Sequence, residues 1–179
     1  RLRKSIIWTY CLTRSWRQSE LQKYSNSKIV IQIVQTIHED FMRQALVQAQ
    51  RAFDVDEVPV GAVIVMHGKI IAKAHNQVQL LRDVTAHAEI LAITSACENL
   101  QEKYLPDATL YVTIEPCLMC AGALYWNKIG HIVFGAYDQK NSYRRVTEKN
   151  PFHPSTTIVG GILQDDCAAL MQAFFKAKR

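Results

Sequence analysis

The chain has 179 residues, 49% of them apolar, which suits one domain with a sizeable core and excludes a disordered or fibrous protein. Its net charge of +5 is unevenly spread: residues 1–36 hold seven Lys or Arg and one Glu, whereas residues 37–179 hold fourteen basic and fifteen acidic residues, so the basic pI is no argument for nucleic-acid binding by the main body. Five scattered cysteines do not form the disulfide framework of a small secreted domain, and no apolar run reaches the roughly 18–20 residues of a membrane span.

In chain order, residues 1–36 read as a basic N-terminal extension, rich in Arg, Lys and Ser with Glu20 as its single acid. That composition suits an organellar transit peptide, a loose extension, or a translated stretch upstream of the true start. The apolar, β-branched run 29–34 suggests a short strand or a helix extension. Phe41, Ala45, Leu46, Ala49 and Phe53 recur at helical spacing and predict a helix over 38–53. An acidic loop, 54–57, precedes an apolar strand over 60–66. His67-Gly68 makes a tight turn into a second strand, 69–75. Thr85 suits an N-cap for a helix over 86–98. A turn at Pro106-Asp107 leads to a strand over 109–113. Pro116 marks a helix start, and 117–126 reads as that helix. A strand over 129–136, a polar basic loop over 141–154 and a short strand over 156–159 follow. The last element is an amphipathic helix over 165–177, with Asp165 and Asp166 early and Lys176 and Lys178 late, as the helix dipole favours. Helices alternate with strands around one antiparallel hairpin, so the expected fold is α/β with a mixed sheet covered on both faces.

Two short segments carry the chemistry: Thr85-Ala86-His87-Ala88-Glu89 and Glu115-Pro116-Cys117-Leu118-Met119-Cys120. Each opens a predicted helix. Helix N-termini carry partial positive charge and lower the pKa of a thiol placed there. Cys117 and Cys120 share one face of the first turn. One imidazole and two thiolates suit Zn2+. Structural zinc sites close with four protein ligands, and no fourth ligand accompanies this set at the usual spacing; His75 and His131 are the remaining candidates. Three ligands leave one position for water, and Glu89, two residues past His87, is placed to move its protons. The alternatives are a closed structural zinc site and a redox Cys-x-x-Cys pair. The combined order of His-x-Glu and Pro-Cys-x-x-Cys matches zinc nucleobase deaminases.

Over residues 37–179 the sequence resembles the bacterial tRNA-specific adenosine deaminase family of the cytidine-deaminase-like superfamily. Beyond the zinc motifs, the resemblance includes Glu57-Val58-Pro59-Val60-Gly61-Ala62, Thr109-Leu110-Tyr111-Val112-Thr113, Phe134-Gly135-Ala136 and Phe174-Phe175-Lys176. It implies a three-layer αβα sandwich with a five-stranded mixed sheet, and a homodimer with its active sites near the interface. It implies deamination of the wobble adenosine of a tRNA anticodon stem-loop to inosine. It further implies that Asn76 hydrogen-bonds the flipped nucleoside, that Val58 and Pro59 line its pocket, and that Asp138 lies by the RNA. The sequence departs from the family at Val84, where Pro is common, and at Ser142, where Gly is common.

RNA binding needs cations and stacking surfaces. Lys140, Arg144, Arg145 and Lys149 cluster in one loop, and Lys176, Lys178 and Arg179 flank Phe174 and Phe175. Phe175 and Lys176 are accordingly expected to touch RNA. A deaminase of free cytosine or guanine on the same fold, and a non-catalytic zinc protein, are the competing readings. The expected location is cytoplasmic, or organellar if residues 1–36 are a transit peptide.

Overall fold

A computed structural model describes residues 28–178. The first elements are α1 (Lys28–Asp54), β1 (Gly61–Met66), β2 (Lys69–His75), α2 (Val78–Leu81) and α3 (Ala88–Leu100). They are followed by β3 (Ala108–Ile114), α4 (Leu118–Asn127), β4 (His131–Ala136), a 3-10 turn at Tyr143–Arg145, β5 (Thr157–Gly160) and α5 (Gln164–Ala177). The five strands form one sheet in the order β2-β1-β3-β4-β5. β1 runs antiparallel to β2 and β3, whereas β3, β4 and β5 are mutually parallel. The mixed sheet expected from the sequence is present.

Alternation along the strands builds two cores. Ala62, Ile64, Leu110, Val112, Ile132 and Phe134 face α3 and α4, where Ala88, Ala92, Ala121 and Leu124 meet them. The intervening residues Val63, Val65, Tyr111 and Val133 face Met42 and Ala45 of α1 and Cys167 of α5. A period of two in the strands, set against helical stripes, yields the three layers. The layers sit close. A Cβ on Gly61 would lie 2.1 Å from the carbonyl oxygen of Ala45, so only glycine lets α1 pack on the start of β1. His67 and Gly68, at φ 50° and 73°, make the expected hairpin turn in the left-handed region.

The structure corrects several boundaries. α1 starts at Lys28 instead of residue 38. The stretch 28–37 contains neither Gly nor Pro, so an established helix propagates through it at little cost; of the two forms open to 29–34, the helical one occurs. Thr85 is not an N-cap. Its N–H and hydroxyl both bond Asp83 Oδ1, at 2.8 and 2.7 Å, and α3 begins three residues later. Pro116 precedes the capping residue of α4 and does not occupy its first turn. Sequence spacing did not indicate α2, nor the 3-10 turn inside the 141–154 loop. The basic N-terminal extension falls mostly outside the described residues; among those described, no helix is long and apolar enough to cross a membrane.

Candidate metal centre and active site

Two helix starts converge from different strands. His87 is the N-cap of α3 at φ −73°, ψ 151°, and Cys117 the N-cap of α4 at φ −73°, ψ 172°. Both are extended, and neither side chain makes a capping hydrogen bond. A capping side chain normally satisfies one of the free N–H groups of the first turn; here both turn away and point at each other. Cys120 completes the group from the first turn of α4. Its Sγ lies 3.5 Å from His87 Nδ1, and Cys117 Sγ lies 3.7 Å from the same nitrogen.

These separations suit a shared ion. Zn–S near 2.3 Å and Zn–N near 2.0–2.1 Å, at a tetrahedral angle, place N and S about 3.6 Å apart. Among the described residues, His87, Cys117 and Cys120 are the one group of three or more such side chains able to hold a metal, with ligand atoms within 4.8 Å of one another. Neither alternative histidine joins them. His75 Nδ1 is 2.9 Å from the carbonyl oxygen of Asn76, and His131 Nδ1 is 2.6 Å from Thr157 Oγ1. Three donors with an imidazole and two sulfurs fit an open zinc site better than a closed one.

The two thiols are electrostatically coupled. Hydrogen bonding from Cys120 is the largest cause that brings the Cys117 thiol down to about 4. Cys120 moves the opposite way, because its own S–H donates to the Cys117 sulfur and because it is buried. Hydrogen bonding with Cys117 raises His87. Glu89, one residue into α3, is only 2% exposed. Burial pushes its carboxyl upward, the field of Cys117 adds to this, and His87 opposes it. A carboxyl raised by burial can both hold and release a proton nearer neutral pH than an exposed one.

The segments around the ligands are tied down. Gln77 N–H donates to the carbonyl of Ala86 at 3.0 Å, which joins the end of β2 to the residue before His87. Cys117 bridges to Ser142 in an isolated β-pair. Ser142 adopts φ −63°, ψ 156°, a conformation open to any residue, so the loop does not need the glycine common at this place. Arg144 Nε lies 2.6 Å from Oε1 of the buried Glu115. Burial raises the Glu115 carboxyl and Arg144 pulls it back.

Asn76 is buried at the end of β2, and its Nδ2 donates to Glu57 Oε2 at 3.2 Å. Pro59 is buried and Val58 partly so, on the loop entering β1, where Val58 packs against the core. Asp138 is partly exposed and accepts the N–H groups of Lys140 and Asn141 at 2.7 and 3.1 Å. Phe174 turns inward against Phe53, while Phe175 is 48% exposed and Lys176 is exposed as well. Lys178 pairs with Asp56, which brings the end of α5 beside the Val58-Pro59 loop. The expected basic cluster is thinner than its sequence suggests: Arg144 is committed to Glu115 and lies over the Tyr137 and Tyr143 rings. Sequence reasoning missed the roles of Glu57, Glu115 and Arg144. A buried carboxylate leaves no trace in apolar periodicity, and its partners are tens of residues away.

The sequence model of the MafB19-like deaminases matches residues 36–179. The chain is 40% identical over 148 residues to the tRNA-specific adenosine deaminase of Bacillus subtilis, covering 80% of this chain and 92% of that protein. It is 43% identical over 163 residues to the chloroplastic tRNA(adenine(34)) deaminase of Arabidopsis thaliana, but spans only 12% of that protein's length. A solved structure from work on A-to-I editing by tRNA:A34 deaminases is similar with a TM-score of 0.68 at 42% identity, covering 73% of this chain and 98% of the other. A guanine deaminase from Nitrosomonas europaea is similar with a TM-score of 0.66 at 25% identity, over 76% and 83% of the two chains. The matched span and the likeness to full-length relatives show that the chain belongs to the MafB19-like deaminases and to the tRNA-specific adenosine deaminase family.

Proposed function

We propose that the protein converts adenosine to inosine at the wobble position of a tRNA anticodon stem-loop, with His87, Cys117 and Cys120 holding one Zn2+ and Glu89 as the proton carrier. The observation that carries this reading is the convergence of three ligand atoms within 4.8 Å of one another, with the Glu89 carboxyl buried on the same first turn as His87. Bound zinc supplies Lewis acidity, lowering the pKa of a coordinated water from about 15.7 to about 7. Glu89 takes a proton from the attacking water and delivers it to adenine N1. It then carries the second proton to the amine at C6, which leaves as ammonia while C6 gains the oxygen. Adenosine and water thus give inosine and ammonia.

Substrate recognition is assigned to groups around that centre. Asn76 bonds the flipped nucleoside, and Val58 and Pro59 line its pocket. Asp138 stands by the RNA, and Phe175 and Lys176 offer a stacking face and a cation on the exposed end of α5. The deaminase domain is residues 37–179, and 28–36 prolong its first helix. A homodimer fits the exposed apolar face of α4, where Leu118, Met119, Tyr125 and Trp126 are 40, 37, 37 and 75% exposed. Leu118 and Met119 lie between the two cysteine ligands, so a partner seated there borders the site. Trp126→Arg should then convert a dimer to a monomer by light scattering.

The deciding assay incubates the zinc-loaded protein with an anticodon stem-loop carrying adenosine at the wobble position, and separately with free adenine, cytosine and guanine. Inosine in the stem-loop is expected. Turnover of a free base alone would replace the RNA reading with a free-base deaminase, and an absence of ammonia from every substrate would leave a binding protein.

A further inference from the structure

Glu57 is a carboxylate only 1% exposed, and among the described residues no cation pairs with it. Its oxygens divide their work. Oε1 accepts the N–H groups of Gln79 and Leu80 at 2.7 and 2.8 Å, and Oε2 accepts Asn76 Nδ2 at 3.2 Å. The first pair of bonds is a cap for the short α2 and explains Oε1. It does not explain Oε2. Three donors converge on this group, so it offers only acceptors. That constraint passes to Asn76: its amide must turn the nitrogen towards Glu57 and its Oδ1 the other way. The Asn76 backbone is fixed as well, because its N–H donates to the carbonyl of Val60 and the next N–H to that of Ala86, both at 3.0 Å. An amide otherwise turns over at little cost, since its oxygen and nitrogen have nearly the same shape.

We propose that Glu57 is a positioning residue for substrate selection, which fixes the donor–acceptor polarity of Asn76 so that Oδ1 is presented to the substrate. The substrate group met by Oδ1 is therefore a donor: a sugar hydroxyl or an N–H. This rests on the reading of Asn76 as a substrate-binding residue.

The isosteric change Glu57→Gln separates the two halves of the network. Its Oε1 still accepts Gln79 and Leu80, while an NH2 replaces Oε2 and faces the Asn76 nitrogen. Two donors cannot share that line, so the Asn76 amide turns over and presents the wrong group. The expected result is unchanged zinc content and a melting temperature near wild type, with kcat/KM lowered about 10- to 100-fold and the loss falling mainly on KM. Adding Asn76→Asp restores an acceptor on the substrate side while the other carboxylate oxygen accepts the new NH2. The double variant Glu57→Gln/Asn76→Asp should recover most of the loss, whereas Asn76→Asp alone sets two carboxyl groups face to face and stays impaired. In an Asn76→Ala background, Glu57→Gln should cost no further activity. That arm holds even if Glu57→Gln lowers stability.

A wild-type kcat/KM in Glu57→Gln, no rescue in the double variant, or an undiminished cost in the Asn76→Ala background would each overturn the proposal. The cycle is run on whichever nucleobase substrate the wild type turns over. A failure of the tRNA reading then shows in wild-type substrate preference, and a failure of the positioning role shows in the cycle.

Discussion

At the candidate metal site, two helix N-caps and one first-turn cysteine face each other, with Glu89 buried at 2% exposure beside them. At the far end of α5, Phe175 and Lys176 stand in solvent on the last turn of a helix. The first region is held by backbone bonds on several sides, including the tie from Gln77 to Ala86 and the bridge from Cys117 to Ser142. The second is anchored through Phe174 and through the pair between Lys178 and Asp56. Chemistry needs the first kind of construction, since a proton carrier displaced by an ångström loses much of its effect. The RNA contact proposed for the second tolerates looser construction, because a pliable loop can adapt to it.

The contrast can be broken by substitution, and the largest effect belongs to the rigid region. Cys120→Ala should remove zinc and take deamination below detection. Atomic absorption and inosine formation should fall together, and retained metal with retained turnover would undo the ligand assignment. Glu89→Gln should keep about one zinc per chain and lower kcat by about 10²- to 10⁴-fold, the usual worth of a positioned acid–base group. If that variant turns over normally, the proton path lies elsewhere. In the exposed region, Phe175→Ala removes one stacking face and should raise KM for the stem-loop by about 5- to 100-fold with kcat nearly unchanged. A fall in kcat with constant KM would show that the two regions are not separable.

The smallest effect lies away from both, under α1. His38 is held below its ordinary pKa, first by burial and then by the charge of His131; its Nδ1 is 3.0 Å from the Tyr111 hydroxyl. The unfolded chain therefore binds the proton more readily, and stability should fall as pH drops from about 6.5 towards the lowered folded value. His38→Gln should flatten that slope in melting curves taken between pH 7.5 and 5 while leaving zinc content alone. An unchanged slope would assign the acid sensitivity to other groups.

Much of this was legible in the residues alone. The pairing of Cys117 with Cys120 was, because spacing within one helix turn fixes which side chains share a face. The two-sided core was, because Val60 to Met66 and Ile129 to Ala136 are continuous apolar runs that suit strands buried on both faces. Helix starts were less so. Thr85 has the chemistry of an N-cap, yet Asp83 takes its donors and His87 occupies the capping position. The basic loop was misleading, because Arg144 is committed to Glu115, and nothing in 141–154 announces a carboxylate twenty-nine residues upstream.

By itself, then, the sequence indicated the five strands, the main helices, the apolar faces and the Cys117–Cys120 pair, since each follows from periodicity or from contacts within a turn. Tertiary structure alone decided that His87 lies within 3.7 Å of both thiols, that Glu115 pairs with Arg144, and that Asn76 donates to Glu57. Those pairings join residues 19 to 33 positions apart. Their distances depend on how the sheet brings the ends of β2 and β3 to one edge, on either side of β1, a placement set by packing in three layers and absent from any local pattern.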